Sequence, residues 1–172
     1  MTPPATRRRR AIVSLGSNVG PARWVPWAQA RLRARFDEVR FSPAYASPAV
    51  GPPGQPAFVN LVAGVSTDLP RDALRAVLRH LEALAGRTRG ADRFAPRTLD
   101  LDVIHLDGPH GEEHLEAGDL ALAHVLVPWS DLEPDRVLAD EERTLAQRAA
   151  GLRAGLAPWT VADGPASPGA SA

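Results

Sequence analysis

The chain has 172 residues, a formal net charge of zero, no cysteine, and twenty basic residues, all of them arginine. A single domain of that size buries a core without staples, and zero net charge offers no global field toward nucleic acid or an acidic membrane. Lacking cysteine and lysine, the chain cannot form disulfides, thiolate zinc sites, a cysteine nucleophile, a Schiff base or a lysine-bearing phosphate loop, so any nucleotide must be held by arginine and metal.

Met1 to Arg10 reads as a flexible basic arm, its Arg7 to Arg10 run being a solvated terminus. Ala11 to Leu15 suits a buried strand and is too short for a signal-peptide core. Gly16-Ser17-Asn18 suits a tight turn, since Gly and Asn tolerate positive φ. Trp24, Ala28, Leu32 and Phe36 recur every four residues, which predicts a helix over Arg23 to Phe36 with Pro26 in its first turn. Val39 to Ala46 reads as a strand, and Ser47 to Pro56, with four prolines and two glycines, as a surface loop. Phe58 to Thr67 alternates as a third strand. Pro70 to Ala85 is the clearest helix, with Leu74, Val77, Leu78, Leu81 and Leu84 in one stripe that reads as core.

Asp100 to Leu106 follows as the fourth strand, and Asp107 to Gly118 as a hairpin or loop. Val125 to Leu132 suggests a short strand entering a helical turn, and Thr144 to Leu156 a weaker amphipathic helix. The order β-α-β-β-α-β is that of the split βαβ, ferredoxin-like α+β sandwich, an antiparallel sheet with helices packed on one side. One domain is expected over 11–160, between the arm at 1–10 and a disordered Pro/Gly/Ser/Ala tail at 161–172.

The chemistry concentrates in Arg87 to Asp102, where four arginines lead into two aspartates spaced i, i+2. On a strand Asp100 and Asp102 share one face, and Leu99, Leu101 and Val103 the other. Adjacent like charges need a cation between them. Magnesium, held by one or two carboxylates and substrate phosphates, fits, with guanidinium forks gripping the phosphate oxygens. The alternative is an arginine-rich loop salt-bridged to a solvated strand face.

Several pieces together resemble the 6-hydroxymethyl-7,8-dihydropterin pyrophosphokinases of folate biosynthesis. They are Ser14-Leu15-Gly16-Ser17-Asn18, Tyr45-Ala46-Ser47-Pro48, Gly51-Pro52 through Gln55-Pro56, Phe58-Val59-Asn60, and Gly86-Arg87 through Arg97-Thr98-Leu99-Asp100-Leu101-Asp102. The resemblance spans about Ala11 to Pro134 and implies a ferredoxin-like fold, ATP as co-substrate and two magnesium ions. The implied reaction moves the β,γ-pyrophosphoryl group of ATP to the pterin hydroxymethyl oxygen and releases AMP. By the same resemblance Asp100 and Asp102 hold the metals, and Arg87 and Arg97 neutralise phosphate charge. Arg89, Arg93 and Phe94 belong to a loop closing over ATP, and Arg79, Glu82 and Val103 lie near the nucleoside. The pterin stacks on Phe58, with Asn60 and the backbone of Ser47, Pro48 and Val50 reading its edges.

The sequence departs from that family downstream. The usual Pro-His-Pro segment is absent from Leu115 to Pro128, Leu122 stands where an arginine is usual, and His124 falls where a second stacking aromatic is usual. His114 is a candidate phosphate contact or a solvated loop residue. His110 and His114, with Glu112 and Glu113, read as a polar turn, since a transition metal needs a further ligand. The resemblance implies ATP and the pterin as partners, no nucleic acid, no membrane, and a cytoplasmic monomer. The rivals are an impaired member that binds without efficient transfer, and a ferredoxin-like nucleic-acid module, which would want aromatics on an open sheet face.

Overall fold

The computed structural model describes residues 8–49, 53–88, 95–108, 111–114 (backbone only), 122–139 and 141–163. In chain order these form strand β1 (Arg9–Ser17), helix α1 (Pro21–Arg35), strands β2 (Val39–Phe41), β3 (Ala44–Ser47) and β4 (Phe58–Thr67), helix α2 (Arg71–Leu84), strands β5 (Asp100–Gly108) and β6 (Gly111–His114), helices α3 (Ala123–Leu132) and α4 (Leu145–Ala149), and strand β7 (Ala157–Trp159). The seven strands make one antiparallel sheet in the order β6-β5-β1-β4-β3-β7, and β2 also pairs with β4. The central order β5-β1-β4-β2/β3 is the expected ferredoxin-like frame.

Alternation along the central strands sorts the core into two layers. Ala11, Val13 and Leu15 of β1 and Leu61, Ala63 and Val65 of β4 pack with Val25, Ala28 and Leu32 of α1 and Leu74, Leu78 and Leu81 of α2. Ile12, Val62 and Ile104 point to the other face, where Val125, Leu126 and Trp129 of α3 and Leu145 and Ala149 of α4 cover them. The two helices of the βαββαβ unit thus lie on one side as expected, and the C-terminal helices add a layer on the other. That second layer corrects the strand read over Val125 to Leu132. Val125 through Ser130 are all buried because α3 is wedged between the sheet and α4, and a helix apolar all round has no stripe to betray it.

Two one-residue slips set which side chains share the α3 face. Phe41 pairs with Ala63 but Tyr45 with Asn60, four steps on one strand against three on the other, so Ser42-Pro43 divides the single strand expected over Val39 to Ala46. Ser42 plugs the break, its Oγ accepting from Val62 N at 3.0 Å. In β5 the register shifts between Ile12 and Val13, leaving Ile104 unpaired in β1's register. His105 follows Ile104 onto the same face, its ring 5.3 Å from that of Trp129.

Smaller differences have local causes. α1 begins at Pro21, two residues before the expected Arg23, because Gly20 at φ 62° turns the chain into it, and Pro26 lies inside the helix rather than in its first turn; Gly16 and Asn18 are not in the positive-φ region. Gly16 sits at a close approach instead: a Cβ there would lie 3.2 Å from Asn60 Oδ1, which would have to give by a few tenths of an ångström. α4 is capped by a Thr144–Gln147 capping box and ends at Ala149, well before Leu156. β7 pairs with β3 inside a segment whose composition suggested no strand. β1 starts at Arg9, so Arg9 and Arg10 belong to the sheet rather than to the arm. The remainder of the arm up to residue 7, and the tail from 164, lie outside the described residues.

Leu84, read as part of the core stripe, is 55% exposed, whereas Leu78 is 1% exposed. Leu78→Ala should therefore lose about 2–5 kcal/mol in urea unfolding, and Leu84→Ala less than about 0.5 kcal/mol.

Candidate active site

At the end of the sheet left uncovered by α3, the α3-facing residues of β1, β4 and β5 form the floor of a cavity of about 450 Å³. Ser14 and Gly16 come from β1, Phe58 and Asn60 from β4, and Asp100 and Asp102 from β5. Ser47, Pro48 and Gln55 form one wall, Ala95 and Arg97 a second, and Leu122, His124 and Val125 at the start of α3 a third. The two aspartates do share a face, and Leu101 and Val103 are buried on the other.

β5 has a paired strand on each side only at His105 and Leu106, so nearer the cavity one edge lacks a strand among the described residues. α2 supplies the missing acceptor. Glu82, 1% exposed, takes a hydrogen bond from Leu101 N at 2.9 Å and an ion pair from Arg87 Nη1. The same Arg87 nitrogen pairs with Asp100 Oδ1, while Arg97 Nη1 pairs with Asp100 Oδ2. Asp100 is thus gripped on both oxygens by guanidinium groups, and Arg87 sits between two carboxylates. Arg97 is fixed by the turn after β1. Asn18 Oδ1 accepts from Arg97 N at 2.7 Å, and Asn18 N and Val19 N donate to Arg97 O at 3.1 and 3.2 Å.

Across the cavity, Asn60 Nδ2 donates to Ser47 Oγ at 2.9 Å, tying β4 to the Ser47-Pro48 wall. Phe58 is half-buried and presents ring surface to the space. Burial pushes the His124 imidazole below its ordinary value of 6.5, so it is neutral at pH 7. A neutral ring can stack on a flat heterocycle without first losing a charge's hydration.

The structure therefore brings together Asp100, Asp102, Arg97, Ser47, Pro48, Phe58, Asn60 and His124 around one space. Arg87 stands behind Asp100 rather than on the lining. Glu82 is an internal anchor, and the Val103 side chain is in the core, which leaves its backbone for any contact with a nucleoside. Arg79 lies on the exposed side of α2. Val50, Arg89, Arg93, Phe94, His110 and 115–121 lie outside the described residues, as do the side chains of Glu112, Glu113 and His114. Among the described residues no three His, Asp or Glu side chains gather into a metal-holding cluster. The residues that sequence reasoning missed are structural. Asn18 was read only as a turn former, and Glu82 only as a nucleoside neighbour; a single acid in an amphipathic helix gives no sign of reaching a bare strand edge.

The family model for 7,8-dihydro-6-hydroxymethylpterin-pyrophosphokinase matches residues 12–134. The chain belongs to this family. Among its relatives, the 2-amino-4-hydroxy-6-hydroxymethyldihydropteridine pyrophosphokinase of Pseudomonas aeruginosa is 40% identical over 144 residues, 77% of this chain and 85% of the relative. The protein of the same name from Synechocystis is 33% identical over 165 residues, 90% of this chain and 81% of the relative. That from Haemophilus influenzae is 32% identical over 145 residues, 77% and 86% of the two chains. Every cavity residue named above up to Val125 falls within the span matched by the pyrophosphokinase model.

Glu82→Ala leaves Leu101 N and the Arg87 guanidinium without their buried acceptor. It should lose about 3–5 kcal/mol in urea unfolding, while Arg79→Ala on the same helix stays within about 0.5 kcal/mol. For His124 the folded value is lowered, so its contribution to stability is complete above about 6.5 and is lost as pH falls through the folded value. Urea midpoints between pH 7.5 and 5 should fall more steeply for the wild type than for His124→Phe.

Proposed function

We propose that this cavity transfers the β,γ-pyrophosphoryl group of ATP to the hydroxymethyl oxygen of 6-hydroxymethyl-7,8-dihydropterin, giving the pterin diphosphate and AMP. The observation that carries the reading is the pairing of two acidic side chains, Asp100 and Asp102, with an aromatic ring and an amide, Phe58 and Asn60, on the floor of one cavity. One half is suited to a charged triphosphate and the other to a flat, polar-edged ring.

Asp100 and Asp102 would hold magnesium. Two carboxylates facing the same space, completed by phosphate oxygens, are the hard donor set that this cation takes, and their oxygens otherwise need positive charge, which in Asp100 comes from two arginines. When bound, the metal (two ions in this reading) supplies charge neutralisation and a lower pKa for the attacking hydroxyl. The rest falls to the chain. Arg97, at the cavity wall and partly exposed, can turn from Asp100 to the triphosphate and neutralise the charge that develops as the bond to AMP breaks. Arg87 remains with Glu82 and holds the Asp100 carboxylate in place. Phe58 and His124 fix the pterin ring and Asn60 its edge, so that the hydroxymethyl oxygen meets the β-phosphorus in line. No protein nucleophile is required.

Two further features bear on the rivals. Much of the sheet face that a nucleic-acid module would need is covered by α3 and α4. Leu122 lines the cavity where the family usually has an arginine, so the chain lacks one cation that others bring to the triphosphate.

Purified protein given ATP and magnesium should release AMP only when 6-hydroxymethyl-7,8-dihydropterin is present, without free phosphate. Asp102→Ala should lower that rate by at least about a hundredfold with an unchanged thermal midpoint. AMP release independent of pterin, ATP binding without AMP release, or undiminished turnover in Asp102→Ala would each overturn the reading.

A further inference from the structure

The segment beyond residue 134, where the family match ends, folds back against α3 and β3. α4 packs on α3 and β7 pairs with β3, and the short 3-10 turn Arg153–Gly155 lies between them in the chain. Arg153 Nη2 donates to Asp131 Oδ1 at 2.6 Å and to Ser130 Oγ at 3.1 Å, both on α3. Its Nη1 lies 3.5 Å from the Tyr45 hydroxyl on β3. That hydroxyl donates to the other oxygen of the same carboxylate, Asp131 Oδ2, at 2.5 Å. One aspartate thus joins β3, α3 and the C-terminal segment.

Both elements so joined are walls of the cavity. Tyr45 sits two residues before Ser47 on β3, on the same face, and pairs in register with Asn60, whose amide holds Ser47. Asp131 lies seven residues after His124 on α3, two helical turns further along one face. β3 is four residues long and meets β4 and β7 over three positions each, with Ser47 beyond the β7 ladder, so the side-chain network adds to two short backbone ladders.

We propose that Arg153 is a positioning residue for the pterin half of the cavity, acting through Asp131 and Tyr45 to fix the gap between the Ser47 wall and the His124 wall. The proposal rests on the pterin reading given above. The charges are consistent with a clamp. Burial, then the neighbouring Asp131, raises the Tyr45 phenol above 10.0, so it remains a donor at neutral pH. The hydrogen bond to Asp131 keeps Arg153 firmly charged. Without the guanidinium, a half-buried carboxylate loses its cation and is drawn toward water, and α3 with it. The Arg153 side chain is itself 45% exposed, so removing it opens no core cavity.

The test is calorimetric binding of 6-hydroxymethyl-7,8-dihydropterin, with a non-hydrolysable ATP analogue and magnesium present, to the full chain and its variants. Arg153→Ala should weaken pterin binding about tenfold, shift the affinity for the ATP analogue less than twofold, and leave the thermal midpoint within a few degrees. Arg153→Lys should restore much of the pterin affinity, and Tyr45→Phe combined with Arg153→Ala should weaken it less than the sum of the two single changes. Unchanged pterin affinity in Arg153→Ala overturns the positioning role while leaving the proposed reaction standing. Equal loss for pterin and nucleotide together with a lowered midpoint also overturns it, as a general loss of structure. A wild type that binds no pterin overturns the proposed function and this proposal together.

Discussion

One hydrogen bond carries an unusual share of this molecule, that from Leu101 N to the buried carboxylate of Glu82. A strand must satisfy both edges, and β5 reaches the cavity with a strand on one side only among the described residues. α2 closes the other side with an acid. A carboxylate at 1% exposure needs a cation as well as a donor, and Arg87 fills that need from the chain immediately after the helix. Arg87 then has capacity for a second acid, and Asp100 takes it. The position of the first metal-binding candidate is thus inherited, contact by contact, from a helix on the opposite face of the sheet.

The site works as a meeting of two halves with different physics. On the β5 side the described residues set three carboxylates, Glu82, Asp100 and Asp102, against two guanidiniums, Arg87 and Arg97. On the β4 side the surface is one apolar ring, Phe58, and one amide held to Ser47. Gly16 lies between them, where a Cβ would crowd Asn60 Oδ1 at 3.2 Å but meet Asp100 Cβ at an ordinary 3.8 Å.

The layered build explains why the cavity is where it is. Two sheet slips, at Ser42-Pro43 and at Ile104, decide which residues turn toward α3. α3 covers only part of that face, and the uncovered remainder becomes the floor. The C-terminal segment, past the family match, then joins α3 to β3 through Arg153 and reaches β5 through Arg136, whose guanidinium lies 2.6 Å from Asp107 and 2.8 Å from His105. His105 and Arg136 hold the Asp107 carboxyl below its ordinary value even though burial alone would raise it.

The local patterns of the sequence were enough to determine the ferredoxin-like order, the strand at Phe58 to Thr67, the amphipathic α2 and the shared face of Asp100 and Asp102, because periods of two and near four are written residue by residue. The motifs around Phe58, Asn60 and Arg97 likewise marked most of the cavity. What the sequence alone could not decide depended on neighbours distant in the chain. Whether Leu84 is core, whether Glu82 faces solvent or a strand edge, and whether Val125 to Leu132 is strand or helix are settled by what packs against them, and a buried helix has no polar side to reveal its period. β7 belongs to the same class, since a three-residue strand of Ala, Pro and Trp exists only because β3 offers it an edge.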